Sequence, residues 1–510
     1  MNGMDVWNGH LPRYADHPGV PLTLVAAAAL PVIYILSPHQ ESMHEAVLLH
    51  PLYYELALKR LLFTLILLAS FLAGFMVLKI SNSLSLSILI QASPFFFPFS
   101  LYISTNSFMP DGLLILVYYL LSIVLLPVII NENKLNEEKF PLWVGLIGGL
   151  GLSIKLTFLP LLFIPAMIMS NNIRKIRKYV VFTILGFLLF TLPVFKSYPH
   201  MFKWFSGLFI HSGTYGQGAA NVINFAQYFQ NLKFILFEFK IFTLALIFST
   251  LSLPFIYLRS KKDLHIRKLF RWVWILYLTQ WLSIFIVAKP FQHKEYYLIT
   301  TYFIISIQLV FTLACLLYKT NETSMICLTQ TRIKIHHASS IRSIKNKLFS
   351  DEKIKLTFAL LLIFGSIYPN WNYYDDIAKS IQATRNEQGE LEYFIQNKTK
   401  ENALFVTLNA FSFSKMQGLM FGNCFSSSHK QKLKELYPEA YFFNVVPAKF
   451  SHWLDEVPFD NKSSERPVYL IDVRADDGSI AYLKEAGYEA ELVFENRTKA
   501  VYELTTVEQK

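Results

Sequence analysis

Gly148-Gly149-Leu150-Gly151-Leu152-Ser153-Ile154-Lys155-Leu156-Thr157-Phe158 lies in the middle of the apolar run Leu142 to Met169, and its reading decides the fold. The run is longer than one membrane crossing needs, and it sets a lysine where a charge is expensive in lipid. Two short crossings with Lys155 at the turn between them meet both constraints. Read this way, Asp111 falls on the same face as the connector His39 to Lys59. Read as a single crossing, the run would move Asp111 to the cytoplasmic face.

Outward from this run the same apolar texture recurs. The chain has 510 residues, 53% hydrophobic, with 45 Phe and a mean hydropathy of +0.35. No soluble core explains repeated apolar runs of about 20 residues, so the fold class is mainly α, a polytopic transmembrane helical bundle. Spans are expected at Leu61 to Leu78, Leu84 to Ile103, Leu113 to Ile130, Tyr179 to Phe195, Phe234 to Leu258, Trp272 to Ala288, Tyr297 to Leu317 and Ile354 to Tyr368. Val20 to Leu36, short and interrupted by Pro21 and Pro31, falls below a full span, and an interfacial helix and a crossing both stay open for it.

Charge gives the orientation. The formal charge of +11 belongs to the membrane part, because the residues from Trp371 onward hold about 16 basic and 21 acidic side chains. Such an excess marks cytoplasmic loops rather than a nucleic-acid partner. Arg174 to Lys178, Arg259 to Lys268 and Lys319 to Lys353 are separated by two crossings each and can be cytoplasmic together. The loops Lys196 to Lys233 and Lys289 to Lys294, and everything after Pro369, then face the other side. The division is thus 1–370, a membrane domain, and 371–510, an extracytoplasmic α/β domain. In the latter, helix-like Ile377 to Asn397, Lys430 to Leu436 and Ile480 to Ala486 accompany strand-like Ala403 to Leu408, Tyr441 to Val446, Val468 to Val473 and Glu491 to Glu495. Cys315, Cys327 and Cys424 have no metal or disulfide spacing, and Asp476-Asp477-Gly478 reads as a turn, so no metal ligands are assigned.

Several polar groups gather on the outer face. Asp16 and His17 stand in Asp16-His17-Pro18-Gly19, and Asp111 in Met109-Pro110-Asp111. An acid here can take a proton from an attacking hydroxyl or amine, although Asp at a helix start is also an ordinary cap. Lys155 can neutralise a phosphate or snorkel from a helix end. His211 and Tyr215 belong to a glycine-rich loop, His211 to Gly218, suited to closing over a substrate or to a plain turn. In His293-Lys294-Glu295-Tyr296-Tyr297, Lys294 can hold a phosphate and Tyr296 can stack on a sugar or isoprenoid, while interfacial Tyr is also normal anchoring.

The order of these elements resembles the GT-C class of polytopic membrane glycosyltransferases, such as the protein mannosyltransferases and aminoarabinose transferases. Asp16-His17-Pro18 is similar to the His-Pro element of the first outer loop, Met109-Pro110-Asp111 to the second acidic motif, and Lys155 to the class lysine after a glycine-rich span; His293 to Tyr297 is similar to the late outer motif. The resemblance implies inverting transfer of a sugar from a polyprenyl-phosphate donor to a lipid, glycan or protein acceptor in a bacterial inner (plasma) membrane. Asp16 and Asp111 would be catalytic, and His17, Lys155, His211, Tyr215, His293, Lys294 and Tyr296 would bind substrate. No cofactor is required, and a divalent cation is left open. The class normally places its principal acid further ahead of the Asp-His-Pro element than this sequence does, with a span before it. The expectation is therefore that a first span and an acidic, aromatic motif belong ahead of Gly9, and that the chain as written is a poor enzyme. A transporter or flippase of a lipid-linked sugar is the main rival, since an intramembrane lysine and a broken span also suit a substrate path.

Overall fold

Apolar chain in lipid must satisfy its peptide groups internally, and a helix does so. In chain order the helices are α1 (Asn2–Trp7), α2 (Val20–Ile35), α3 (Met43–Leu49), α4 (Pro51–Ser81), α5 (Leu84–Ala92), α6 (Pro98–Asn106), α7 (Pro110–Ile130), α8 (Phe140–Ile154), α9 (Phe163–Ile168), α10 (Ile173–Thr191), α11 (Tyr198–Ile210), α12 (Phe225–Glu238), α13 (Lys240–Ser260), α14 (Leu264–Ala288) and α15 (Ile299–Leu317). The computed structural model describes residues 2–11, 19–130, 135, 137–211, 220, 223–289, 294–317, 371–400, 404–408, 429–436, 441–444, 449–452, 455–456, 467–473, 483–484, 487–496 and 499–506. Two units emerge, one from Met1–Tyr14, Thr23–Leu58 and Asn372–Lys510, the other from Ala15–Leu22 and Lys59–Trp371.

The second unit is a helical bundle. Among the described residues six helical elements are long and apolar enough to cross a membrane: Pro51–Ser81, Pro110–Ile129, Ile173–Ile210, Lys240–Ser260, Ile266–Ala288 and Glu295–Leu316. Leu67, Leu68, Phe71 and Phe75 on α4, Val181, Ile184 and Leu189 on α10, and Leu244, Leu251 and Phe255 on α13 are exposed. Apolar faces of this extent are stable against lipid and not against water, so the chain is a membrane protein. At the centre α15 is almost wholly buried, and Ser283 and Thr301 pair hydroxyl to hydroxyl at 2.8 Å between α14 and α15.

The sequence-read spans differ from the structure in two places. The span expected from Leu84 to Ile103 is bent by 81° between α5 and α6, because Pro94 and Pro98 start new turns on either side of Phe97, whose backbone is extended. The span expected from Phe234 to Leu258 is divided at Phe239, outside the helical region at φ −88°, ψ 70°. The division at Lys155 is present: α8 stops there, Lys155 is extended at φ −162°, ψ 137°, and a 3-10 segment, Leu156–Leu162, follows. Ile354 to Tyr368 lies outside the described residues.

The glycines of the opening stretch have packing roles. A Cβ on Gly149 would come within 2.4 Å of the Phe187 nitrogen and the Thr183 oxygen of α10, and one on Gly186 within 2.8 Å of the Leu146 oxygen. Small residues here let two backbones meet, the usual device where lipid offers no hydrophobic drive between helices.

The first unit is built on a seven-stranded mixed sheet, in the order β4 (Asp455–Glu456), β3 (Lys449–His452), β2 (Tyr441–Asn444), β1 (Leu404–Leu408), β5 (Val468–Val473), β7 (Lys499–Thr506), β6 (Tyr488–Glu495). β1 pairs in parallel with β2 and β5, and the other pairings are antiparallel. The helix Trp371–Lys400 buries Leu391 against Tyr469, Ile471 and Val501. The sequence reading had placed strands at β1, β2, β5 and the end of β6, but not β3, β4 or β7.

This unit also holds a buried polar chain. His44 of α3 and His429 share a hydrogen bond of 2.8 Å between ring nitrogens, and His429 lies 3.2 Å from the fully buried Asp5 of α1. Beside them Lys432, in the helix Lys430–Leu436, meets Glu45 at 2.6 Å. Burial, then the positive charges of His429 and Lys432, holds the His44 imidazole below its ordinary pKa of 6.5. The hydrogen bond from Lys432, then that from Ser42, holds the Glu45 carboxyl down to about 2.

Both shifts are depressions, so in each window the unfolded chain binds more protons and stability falls with falling pH. The unit should weaken first as pH falls below 6.5, where unfolded His44 charges, and again between 4.5 and 2, where Glu45 protonates. Hydrogen exchange followed from pH 8 to pH 3 reads this out. His44→Gln should flatten the first stage and leave the second; an unchanged first stage would remove His44 as its origin.

Candidate functional site

Lys155 reaches this site because the helix ahead of it stops. With the α8 backbone turned extended at Lys155, the side chain projects toward the first turn of α7, where Pro110 sets the start and Asp111 follows. Lys155 Nζ donates to Asp111 Oδ1 at 2.7 Å, and the two side chains keep 16% and 7% of their exposure, so water screens this pair little. The third side of the ammonium is aromatic. It stands 4.4 Å from the centroid of Tyr296 and 5.1 Å from that of Tyr297, with the Tyr296 carbonyl oxygen at 3.5 Å.

Tyr296 and Tyr297 sit in a 3-10 turn, Glu295–Leu298, that leads into α15, and Lys294 stands just before it. Lys294 Nζ is 5.9 Å from the Tyr296 ring, so two ammonium groups approach that ring. Glu295 accepts a hydrogen bond from Tyr302 Oη at 2.8 Å. Tyr302 is itself fixed by stacking on Phe97 at 4.3 Å, at the bend between α5 and α6. The bend therefore has a local purpose: it brings an aromatic ring under the tyrosine that orients Glu295.

Four of the residues singled out in the sequence, Asp111, Lys155, Lys294 and Tyr296, thus come together although they lie on three distant segments. His211 ends α11, where its backbone bridges to Ala220. The end of α11 is held by Lys289, which donates to the Phe209 carbonyl at 2.6 Å. Asp16, His17, Tyr215 and His293 lie outside the described residues. Glu295 and Tyr297 were inside a quoted motif but had been given no role; a carboxyl flanked by lysine and tyrosines just ahead of a span was the available signal.

An ammonium held by a carboxylate and capped by two aromatic faces can accept an incoming phosphate oxygen in exchange for the carboxylate. The carboxylate freed by that exchange becomes a base. No family model, curated protein or solved structure matches this chain.

Proposed function

We propose that this protein is an inverting membrane glycosyltransferase that moves a sugar from a polyprenyl-phosphate donor to a hydroxyl or amine of an extracytoplasmic lipid, glycan or protein acceptor. The observation that carries this reading is the Asp111–Lys155 pair at 2.7 Å, set against Tyr296 and Tyr297 where α8 stops. The donor phosphate displaces Asp111 from Lys155. The acceptor oxygen or nitrogen then attacks the anomeric carbon from the face opposite the phosphate, and its proton passes to Asp111. The bond from that carbon to the phosphate oxygen breaks, and the electron pair leaves with the phosphate, stabilised by Lys155 and Lys294. Tyr296, which both ammonium groups approach, offers a face for the sugar or the first isoprene unit.

A second reading has its own support. The 81° bend between α5 and α6 and the break at Lys155 are the discontinuous helices on which transporters build midplane sites, so flipping of a lipid-linked sugar is the alternative.

Vesicles carrying the full-length chain, supplied with a panel of labelled polyprenyl-phosphate sugars and envelope acceptors, decide between the readings. Covalent transfer with inversion is expected from at least one donor. Lys155→Met should lower it by about 10²–10³ at unchanged protein level. Transfer indifferent to Lys155→Met would overturn the role given to the lysine, and movement of donor between leaflets without transfer would decide for the flippase.

A further inference from the structure

The connector between α2 and α4 brings two imidazoles and a carboxylate to one point. His39 and Glu41 lie between α2 and α3, and His50 is the residue that ends α3 just before Pro51 opens α4. One candidate ligand atom from each of His39, Glu41 and His50 lies within 4.8 Å of the other two. Glu41 Oε1 is 3.9 Å from His50 Nε2. The His39 and His50 rings are parallel, 4.0 Å apart and 1° from coplanar orientation. Among the described residues His39 Nε2 is buried with no hydrogen-bond partner, a costly position unless something satisfies it.

The scaffold around these groups is fixed. Tyr34 Oη donates to the Glu41 carbonyl at 2.5 Å, and the His39 N–H donates to Ser37 Oγ, which donates on to the Tyr34 carbonyl. Ser42 and Glu45 close a capping box that starts α3. The Gln40 N–H donates to Glu41 Oε2 at 3.1 Å, leaving Oε1 turned toward His50. Tyr53 packs its ring edge-on to His39 at 5.0 Å. Nothing in this arrangement is drawn from the Asp111–Lys155 site.

We infer that His39, Glu41 and His50 form a binding site for one divalent transition-metal ion, with zinc as the best fit. Two nitrogens and one oxygen match the borderline donors that Zn²⁺ takes and not the all-oxygen shells of Ca²⁺ or Mg²⁺. Bonds of about 2.0–2.1 Å in a tetrahedral site put ligand atoms roughly 3.3 Å apart, so metal binding requires one of the two stacked rings to turn out of the stack until both in-plane lone pairs meet at the ion. The fourth position remains for water or an anionic oxygen. The ion would tie the connector to the start of α4.

The test uses the full-length, tag-free protein in detergent, stripped with chelator and dialysed against Zn²⁺, with bound metal measured by elemental analysis. One equivalent should be retained. Co²⁺ in its place should give the intense visible bands of a tetrahedral N/O site. Glu41→Gln, a change at an exposed side chain, should weaken binding by at least about tenfold. His39→Ala/His50→Ala should abolish it, while exposed His10→Ala should change nothing. Retention of the equivalent by the double variant, unchanged affinity in Glu41→Gln, or no retained equivalent in the parent protein would overturn the site. Sugar transfer plays no part in the readout, so this test can fail while the glycosyltransferase reading stands, and the reverse.

Discussion

Asp111→Asn should lower sugar transfer by about 10²–10⁴, the range that a general base contributes, while the folded protein remains. Asparagine keeps the shape and can still accept a hydrogen bond from Lys155, but it cannot take a proton. The cost in stability comes from leaving the lysine charge without its counterion: Lys155 would retain the Tyr296 carbonyl at 3.5 Å and two aromatic faces. That cost is about 1–3 kcal/mol, held at this level because some water still reaches the ammonium. Asp111→Asn/Lys155→Met separates chemistry from structure. If the pair only holds α7 to α8, the double variant should recover both stability and activity. If Asp111 is the base, stability returns and transfer does not. Recovery of transfer would end the catalytic assignment.

A single methyl group at Gly149 should do more damage than any other change considered for the bundle. The added Cβ meets backbone on both sides, the Phe187 nitrogen and the Thr183 oxygen at 2.4 Å. Main chain cannot rotate away, so α8 and α10 must separate along their contact. Gly148→Ala is the matched control, because its Cβ meets the tip of the Leu162 side chain, Cδ2 at 2.8 Å, which can move. Gly149→Ala should cost about 3 kcal/mol or more, at or above the upper end for overpacking, and Gly148→Ala about 1 kcal/mol. Detergent-titrated unfolding of the two variants measures the difference; equal losses would mean that the helices are not in the close contact described.

What was legible in the sequence was whatever depends on local pattern. Leu113 to Ile130 announces α7 by length and hydropathy alone, and Lys155 announces the end of α8 because a charge is expensive inside an unbroken span. The two breaks that were not foreseen, at Phe97 and Phe239, fall inside runs read as single spans, although Glu238 and Lys240 flank Phe239 and were the available signal for the second. A bend changes no residue's hydropathy, although Pro94 and Pro98 flanking Phe97 could have signalled the first. β3 and β4 escaped because they are short and polar, and β7 because its alternation ends in threonines. The pairing of Asp111 with Lys155 was reached by arguing sides of a membrane, not contacts, so its 2.7 Å geometry is new information. The buried chain from Asp5 through His429 to His44 could not be read at all, since nothing local to any of the three points to the others.

That buried chain carries a consequence for the path of the polypeptide. Asp5 and His44 both touch His429, and direct polar contacts between segments so far apart in the chain hold them on one side of a bilayer. The helix between them, Val20–Ile35, therefore returns the chain to the leaflet it came from. Epitopes placed at the two ends of the protein should then become accessible together, from one side of sealed vesicles, whichever side that is.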